Sequence, residues 1–293
     1  MSIHLILNTH TPDRLARTIL GLANQTRPAD SVTVTCDGDA KDLYDAVAKA
    51  HADTQLPITL IRRGKVTPDR LGQVRNNAVR QLIASNAIDA ADGLIFLDGD
   101  VVPAPDFVER HARCLTQGEL TLARRFELTE AQTNAFDDNA LRNKRWPVEI
   151  TPDQHDAIRK REARYRRQLF MKRLGLGKPH KPKILGGNFS TTFNIFNAIN
   201  GMDETFSGWG TEDDDFARRA YAAGARPVIA LSRIAAFHQY HPTRAPGKHR
   251  DSDNHDRIKQ GKVPPRCERG LENPMDQPRI VVDTFGRAMG NEQ

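Results

Sequence analysis

Four short apolar runs are separated by three stretches whose apolar residues recur at helical spacing, and this alternation limits the chain to few folds. The runs are HLILN (4–8), SVTVTCD (31–37), PITLIRR (57–63) and GLIFLDGD (93–100). Between them lie PDRLARTILGLANQ (12–25), with Leu15, Ile19 and Leu22 on one face, then DLYDAVAKAHA (42–52) and LGQVRNNAVRQLIASN (71–86). β-Branched and apolar runs of this length, bounded by turn residues, predict strands. A strand that leads through a helix into the next strand predicts parallel pairing, because the helix carries the chain back along the sheet. Ligands of such sheets collect at the carboxyl ends of the strands. Here those ends carry Asn8-Thr9-His10, Cys36-Asp37-Gly38-Asp39 and Asp98-Gly99-Asp100.

A chain of 293 residues with 38% hydrophobic content suits one large α/β domain or two small ones. No apolar run approaches the roughly 20 residues that cross a bilayer. The start, MSIHLILNTHTPDRL, has neither a basic n-region nor a small-residue cleavage site, so no signal peptide is expected. Cys36, Cys114 and Cys267 are far apart and odd in number, which argues against a disulfide framework and for a reducing cytosol. The net charge of +6 leaves nucleic acid, an anionic membrane surface or a phosphorylated substrate as partners, and the place of the charge discriminates among them.

Much of that charge lies in 142–183, a polar stretch with RKREARYRRQLFMKRLGLGKPHKPK at its core and Ile158, Tyr165, Leu169 and Phe170 as sparse apolar contacts. Helix is expected over much of it. After it, ILGGNFSTTFNIFNAINGMDETF is globular in character, FARRAYAAG reads as a helix and VIALSRIAAF as a strand. The remainder is polar and rich in Pro and Gly, a wrapping tail without a core of its own and with disordered final residues.

The apolar strand LIFL delivers Asp98 and Asp100, one residue apart, to its carboxyl edge. Hard carboxylate oxygens suit Mg²⁺ or Mn²⁺, although Asp and Gly also serve simply as turn residues. Asp37 could accept a hydrogen bond from a nucleotide base, or cap a turn. Arg75 and Asn76 open a helix after a strand, where a cation can meet phosphate. His238 and His241 follow the strand VIALSRIAAF; histidine is a common metal ligand, and the spacing does not decide between the two. GWGTEDDDFARR (208–219) places Glu212, Asp213, Asp214 and Asp215 in a row. Like charges so close repel, which asks for separate roles. Asp214 and Asp215 suit the first turn of the following helix, where its dipole favours anions, with Arg218 and Arg219 offsetting their charge.

Taken together these segments resemble a GT-A glycosyltransferase, most similar to family 2, from Ile3 to about Pro242. The strand-turn-helix LILNTHTPDRLARTILGLANQT, the Asp37 turn, Arg75-Asn76 and the DxD motif Asp98-Gly99-Asp100 carry the first half of the likeness. GGNFSTTFNIFNAINGMDETFSGWGTEDDDFARRAYAAG resembles the galactosyltransferase-type segment. The resemblance implies the GT-A fold, a Rossmann-like α/β architecture with a mostly parallel central sheet flanked by helices. It implies a nucleotide-sugar donor of the UDP-linked kind, bound by Thr9, Asp37, Arg75, Asn76, Asp98, Gly187 and Asn188. Asp98, Asp100 and a downstream histidine, His238 first and His241 second, would hold Mn²⁺ or Mg²⁺. Trp209 and Glu212 would bind the acceptor, a glycan or lipid-linked glycan, and Asp213 would be the catalytic base.

On this basis residues 1–245 form the GT-A domain, with 1–115 as nucleotide-binding half, 142–183 as basic helical insertion and 184–245 as acceptor half, and 246–293 is the tail. The expected activity is inverting transfer of a hexose or N-acetylhexosamine in polysaccharide biosynthesis by a cytoplasmic enzyme. The alternatives are a catalytically inactive nucleotide-sugar-binding protein of the same fold, or a basic nucleic-acid- or membrane-binding protein. The basic stretch is a solvated helix or a peripheral membrane contact. It has little aromatic interleaving, so no nucleic-acid partner is expected.

Overall fold

The computed structural model describes residues 1–9, 12–38, 41–178, 180–208, 210–242, 254 and 264–286. The first third folds as its alternation predicts. Strands β1 (Ile3–Thr9), β2 (Ser31–Cys36), β3 (Ile58–Arg63) and β4 (Gly93–Asp98) are joined by helices α1 (Leu15–Ala23), α2 (Lys41–Thr54) and α3 (Leu71–Ala84). These strands run parallel in the order β3-β2-β1-β4. Thr9 lies opposite Cys36 and Asn8 opposite Asp98, so the polar strand ends share one edge.

The next elements are β5 (Val101–Pro103), α4 (Phe107–Leu115), β6 (Leu120–Leu122), β7 (Phe126–Glu127), α5 (Glu130–Asn134), α6 (Asp138–Arg142) and α7 (Pro152–Arg173). Then come β8 (Asn188–Thr192), α8 (Phe193–Ala198), α9 (Glu212–Ala222), β9 (Pro227–Ile229), β10 (Ala236–His238) and β11 (Ile280–Phe285). β8 is antiparallel to β4 and to β6, and β6 is parallel to β9. The main sheet has the order β11-β3-β2-β1-β4-β8-β6-β9, and β5-β10-β7 form a small second sheet.

Two expectations change. The run VIALSRIAAF is not one strand: it splits at a turn into β9, on the edge of the main sheet, and β10, in the small sheet. The C-terminal segment, read as a tail, buries Cys267 and Leu271 and supplies β11, antiparallel to β3. An edge strand with one face toward solvent needs few apolar residues, and IVVDTF supplies enough. Arg62 and Asp283 tie the pair at 2.7 Å.

Both faces of the main sheet are covered by apolar side chains. On one face Phe96 stacks on Phe189 with centroids 4.8 Å apart, and Phe189 meets Phe216 of α9 at 5.4 Å. Phe216, Ala217 and Ala220 form the buried face of α9. That face fixes where the helix begins, and therefore where its four acids stand. All four lie in the first helical turn, so α9 begins at the first acid and not after the run. The three cysteines are buried and unpaired. Among the described residues no helix is long and apolar enough to cross a membrane.

Candidate active site

The chain leaves β4 at Asp98, turns through Gly99 and Asp100, and enters β5. Pairing of β10 with both β5 and β7 sets His238 opposite Val101 and Glu127. Asp100, His238 and His241 thereby converge, with one ligand atom from each within 4.8 Å of the others. Asp100 Oδ2 lies 3.4 Å from His238 Nε2 and 3.2 Å from His241 Nε2. Asp100 Oδ1 is buried without a hydrogen-bond partner. His238 Nδ1 lies 2.7 Å from Glu127 Oε2. This contact directs the Nδ1 proton to Glu127 and leaves Nε2 facing Asp100, the arrangement that orients a metal-binding imidazole. A carboxylate with Oδ1 orphaned and Oδ2 facing two imidazole nitrogens fits a divalent cation.

The local charges reinforce each other. Burial alone would lower the His238 pKa, but hydrogen bonds to Asp100 and Glu127 outweigh it and push it up to about 9. Burial would raise Glu127, yet the His238 hydrogen bond and the Arg125 charge bring it down to about 2. Asp100 is held below its ordinary value against burial by His238 first, then by Arg125 and His241.

Asp98 does not join this group. Its Oδ2 accepts from Arg125 Nη1 at 2.9 Å, and its Oδ1 lies 3.4 Å from Arg75 Nη2. The structure groups Asp100, and not Asp98, with the two histidines. Residues two apart share a face only while a strand continues, and β4 ends at Asp98, so the turn redirects Asp100. Close approach enforces the geometry: a Cβ on Gly187 would lie 2.1 Å from Asp98 Oδ2 and 2.6 Å from Arg125 Nη1. A Cβ on Gly99 would lie 2.6 Å from Thr9 Cβ, which places Thr9 directly against the acidic turn.

Arg75 links this turn to the second acidic cluster. It is 2% exposed, so it is a buried guanidinium and not a surface one. Its Nη2 donates to Gly186 O at 3.0 Å as well as facing Asp98, and its Nη1 stands 3.7 Å from Glu212 Oε1. Asp213 Oδ2 accepts from Gly186 N at 2.9 Å. One guanidinium and one glycine thus connect the end of β4 with the start of α9. Burial pushes the Glu212 pKa up, with the adjacent Asp213 adding to it against Arg75. Burial also raises Asp213, opposed by the Gly186 hydrogen bond and by Arg75 and Lys183.

The other two acids are neutralised separately. Asp214 pairs with Lys183, and Asp215 with Arg219 at 2.7 Å. Lys183 thus serves where an arginine of α9 was expected. Thr211, just before the helix, has φ +75°, a left-handed conformation that costs a β-branched residue energy.

Several expected donor contacts are otherwise engaged. Asp37 Oδ1 accepts from Arg63 Nε at 3.0 Å, while its Oδ2 is buried and unpartnered. Asn76 is fully buried, its amide donates to Met202 O and Glu204 Oε1, and its oxygen accepts from Met202 N. Asn188 is engaged likewise, with His111 and Arg124 O occupying its amide inside the core. Trp209, His10 and Asp39 lie outside the described residues. Sequence reasoning missed Arg125 and Glu127, which flank and occupy a two-residue strand too short for periodicity to mark.

Residues 5–140 match the family described as Glycosyl transferase family 2, and residues 175–243 the one described as N-terminal domain of galactosyltransferase. The chain has the GT-A glycosyltransferase fold. It is family 2-like, with a galactosyltransferase-type segment in its second half. Among solved structures it is similar to S. aureus TarS 1-349 in complex with UDP-GlcNAc, at 14% identity and TM-score 0.53, covering 83% of this chain and 60% of that one. It is also similar to GalNAc-T7 with UDP, GalNAc and Mn²⁺, at 16% identity and TM-score 0.54, covering 89% of this chain and 48% of that one. The chain therefore spans between about half and three-fifths of these two proteins' length. No curated protein sequence matches it.

Proposed function

We propose that this protein is a metal-dependent inverting glycosyltransferase that moves a hexose or N-acetylhexosamine from a UDP-sugar to a hydroxyl of a glycan or lipid-linked glycan. The observation that carries the proposal is Arg75, which joins the acid at the end of β4 to the acid pair at the start of α9, beside Gly186. The complexes of TarS with UDP-GlcNAc and of GalNAc-T7 with UDP, GalNAc and Mn²⁺ support the donor class and the ion.

Asp100, His238 and His241 would hold the cation, which neutralises a diphosphate and stabilises it as a leaving group. Their two imidazoles favour Mn²⁺ over the oxygen-preferring Mg²⁺. Gly187 lets Asp98 and Arg125 pack directly against the backbone beside the proposed donor site. Asp213, poised by Gly186 N, takes the proton of the acceptor hydroxyl; its raised pKa makes it a stronger base than an exposed aspartate. Glu212 aligns the acceptor. Asp98 is pinned by two arginines and Glu212 faces Arg75, so neither is free to attack the anomeric carbon. A single displacement with inversion follows.

Asp213→Asn tests this. UDP-sugar turnover is expected to fall by a factor on the order of 10² to 10⁴, the usual weight of a general base, with UDP affinity unchanged. Unaltered turnover in the variant overturns the assignment. Tight UDP-sugar binding with no transfer by the unaltered protein would instead favour an inactive binding protein of this fold.

A further inference from the structure

The chain's basicity is local. Residues 163–183 hold eight Lys and Arg and no acid, so the rest of a chain with net charge +6 sums to −2. This stretch is the second half of α7 and the loop that follows. The same place carries exposed apolar side chains: Phe170 is 60% exposed, Leu174 56% and Leu176 71%, with Met171 beside them. By contrast the first half of α7 is anchored, with Ile158 and Glu162 buried and Glu162 accepting from Ser232 N and Oγ at 2.7 and 2.6 Å. Two grooves flank the exposed end. One of about 340 Å³, against edge strand β9, combines Arg166, Arg173 and Arg233 with Phe170 and Val228. The other, about 260 Å³, combines Arg167, Lys178 and Lys181 with Met171.

We propose that the C-terminal end of α7 and the loop through Leu176 dock this protein on an anionic phospholipid bilayer. Large apolar side chains held in water and ringed by cations match a surface whose outer layer is anionic and whose next layer is hydrocarbon. Phe170, Leu174 and Leu176 enter the boundary, and the arginines and lysines beside both grooves take the phosphates. Nucleic acid would use the cations but leave the aliphatic Leu174 and Leu176 in water, since binding there runs on aromatic stacking. The docking segment continues through Lys183, which pairs with Asp214, to Gly186, which holds Asp213. Docking stands independently of sugar transfer.

The test is co-sedimentation of the full chain with phosphatidylcholine vesicles, with and without phosphatidylglycerol, beside a double variant Leu174→Ser/Leu176→Ser. Both leucines are exposed, so the variant keeps its melting temperature and its UDP affinity. The unaltered protein is expected on phosphatidylglycerol vesicles and not on phosphatidylcholine alone, with the variant weakened by at least about tenfold. Absence from the anionic vesicles overturns the proposal. So does equal binding of the variant, or binding to random duplex DNA that competes fully with the vesicles.

Discussion

Glu212 is expected to destabilise the fold in return for its place at the start of α9, and Glu212→Gln measures by how much. The side chain is 8% exposed, its Oε2 has no hydrogen-bond partner, and its nearest cation is Arg75 at 3.7 Å. Burial, with Asp213 next to it, pushes its pKa from 4.5 to about 7. The folded state therefore binds a proton that the unfolded chain releases earlier. Sign follows from that: stability is full below about pH 4.5 and declines as pH rises to about 7. At about 1.4 kcal/mol for each tenfold change in proton affinity, the loss approaches about 3 kcal/mol at pH 8. Glutamine keeps the shape and removes the charge, though Arg75 then loses one attraction, so the net gain is about 1–3 kcal/mol. For a domain of this size that raises the melting temperature by roughly 3–8 °C at pH 8 and leaves it unchanged at pH 4.5. Calorimetric scans of both proteins at the two pH values decide the matter. A variant less stable than the parent at pH 8, or a difference independent of pH, refutes the reasoning. Transfer activity is expected to fall at both.

Three further perturbations probe the same site. Glu127→Ala removes the acceptor that orients His238 and is expected to weaken Mn²⁺ binding by about 10- to 100-fold in titration calorimetry, with the fold intact because Glu127 is largely exposed. Gly187→Ala forces a methyl group onto Asp98 and Arg125, which is expected to cost about 1–3 kcal/mol in denaturant unfolding and to reduce UDP-sugar binding. Phe216→Ala empties the aromatic stack under α9; a loss of about 3–5 kcal/mol is expected, with transfer falling more than UDP affinity because the acids lose their support.

The alternation of apolar strand and amphipathic helix made the parallel half of the sheet legible, since each strand from β1 to β4 is a continuous buried run with helical periodicity between. It also showed where the acids gather, because a strand that ends in Asp-Gly-Asp can only present them at its carboxyl edge. The division of labour between Asp98 and Asp100 was not legible: it depends on where β4 stops, and its last paired residue is Asp98, opposite Asn8 of β1. Arg75 reads in sequence as a surface arginine on a polar helix. Its burial comes from segments far along the chain, Gly186 and Glu212, that close over it. Asn76 and Asn188 show the converse limit, since an amide looks the same in sequence whether it meets a ligand or a buried backbone carbonyl. Edge strand β9 has only three residues, and β11 mixes half-buried with exposed residues, so neither shows the continuous buried run of the central strands.

The most direct test is a crystal of the protein grown with Mn²⁺ and a UDP-sugar, with the anomalous signal of manganese mapped. A peak bonded to Asp100, His238 and His241, with the anomeric carbon of the bound sugar turned toward the Asp213 carboxylate, is the predicted result. Manganese bound elsewhere, or a donor whose anomeric carbon faces away from the start of α9, would contradict the account.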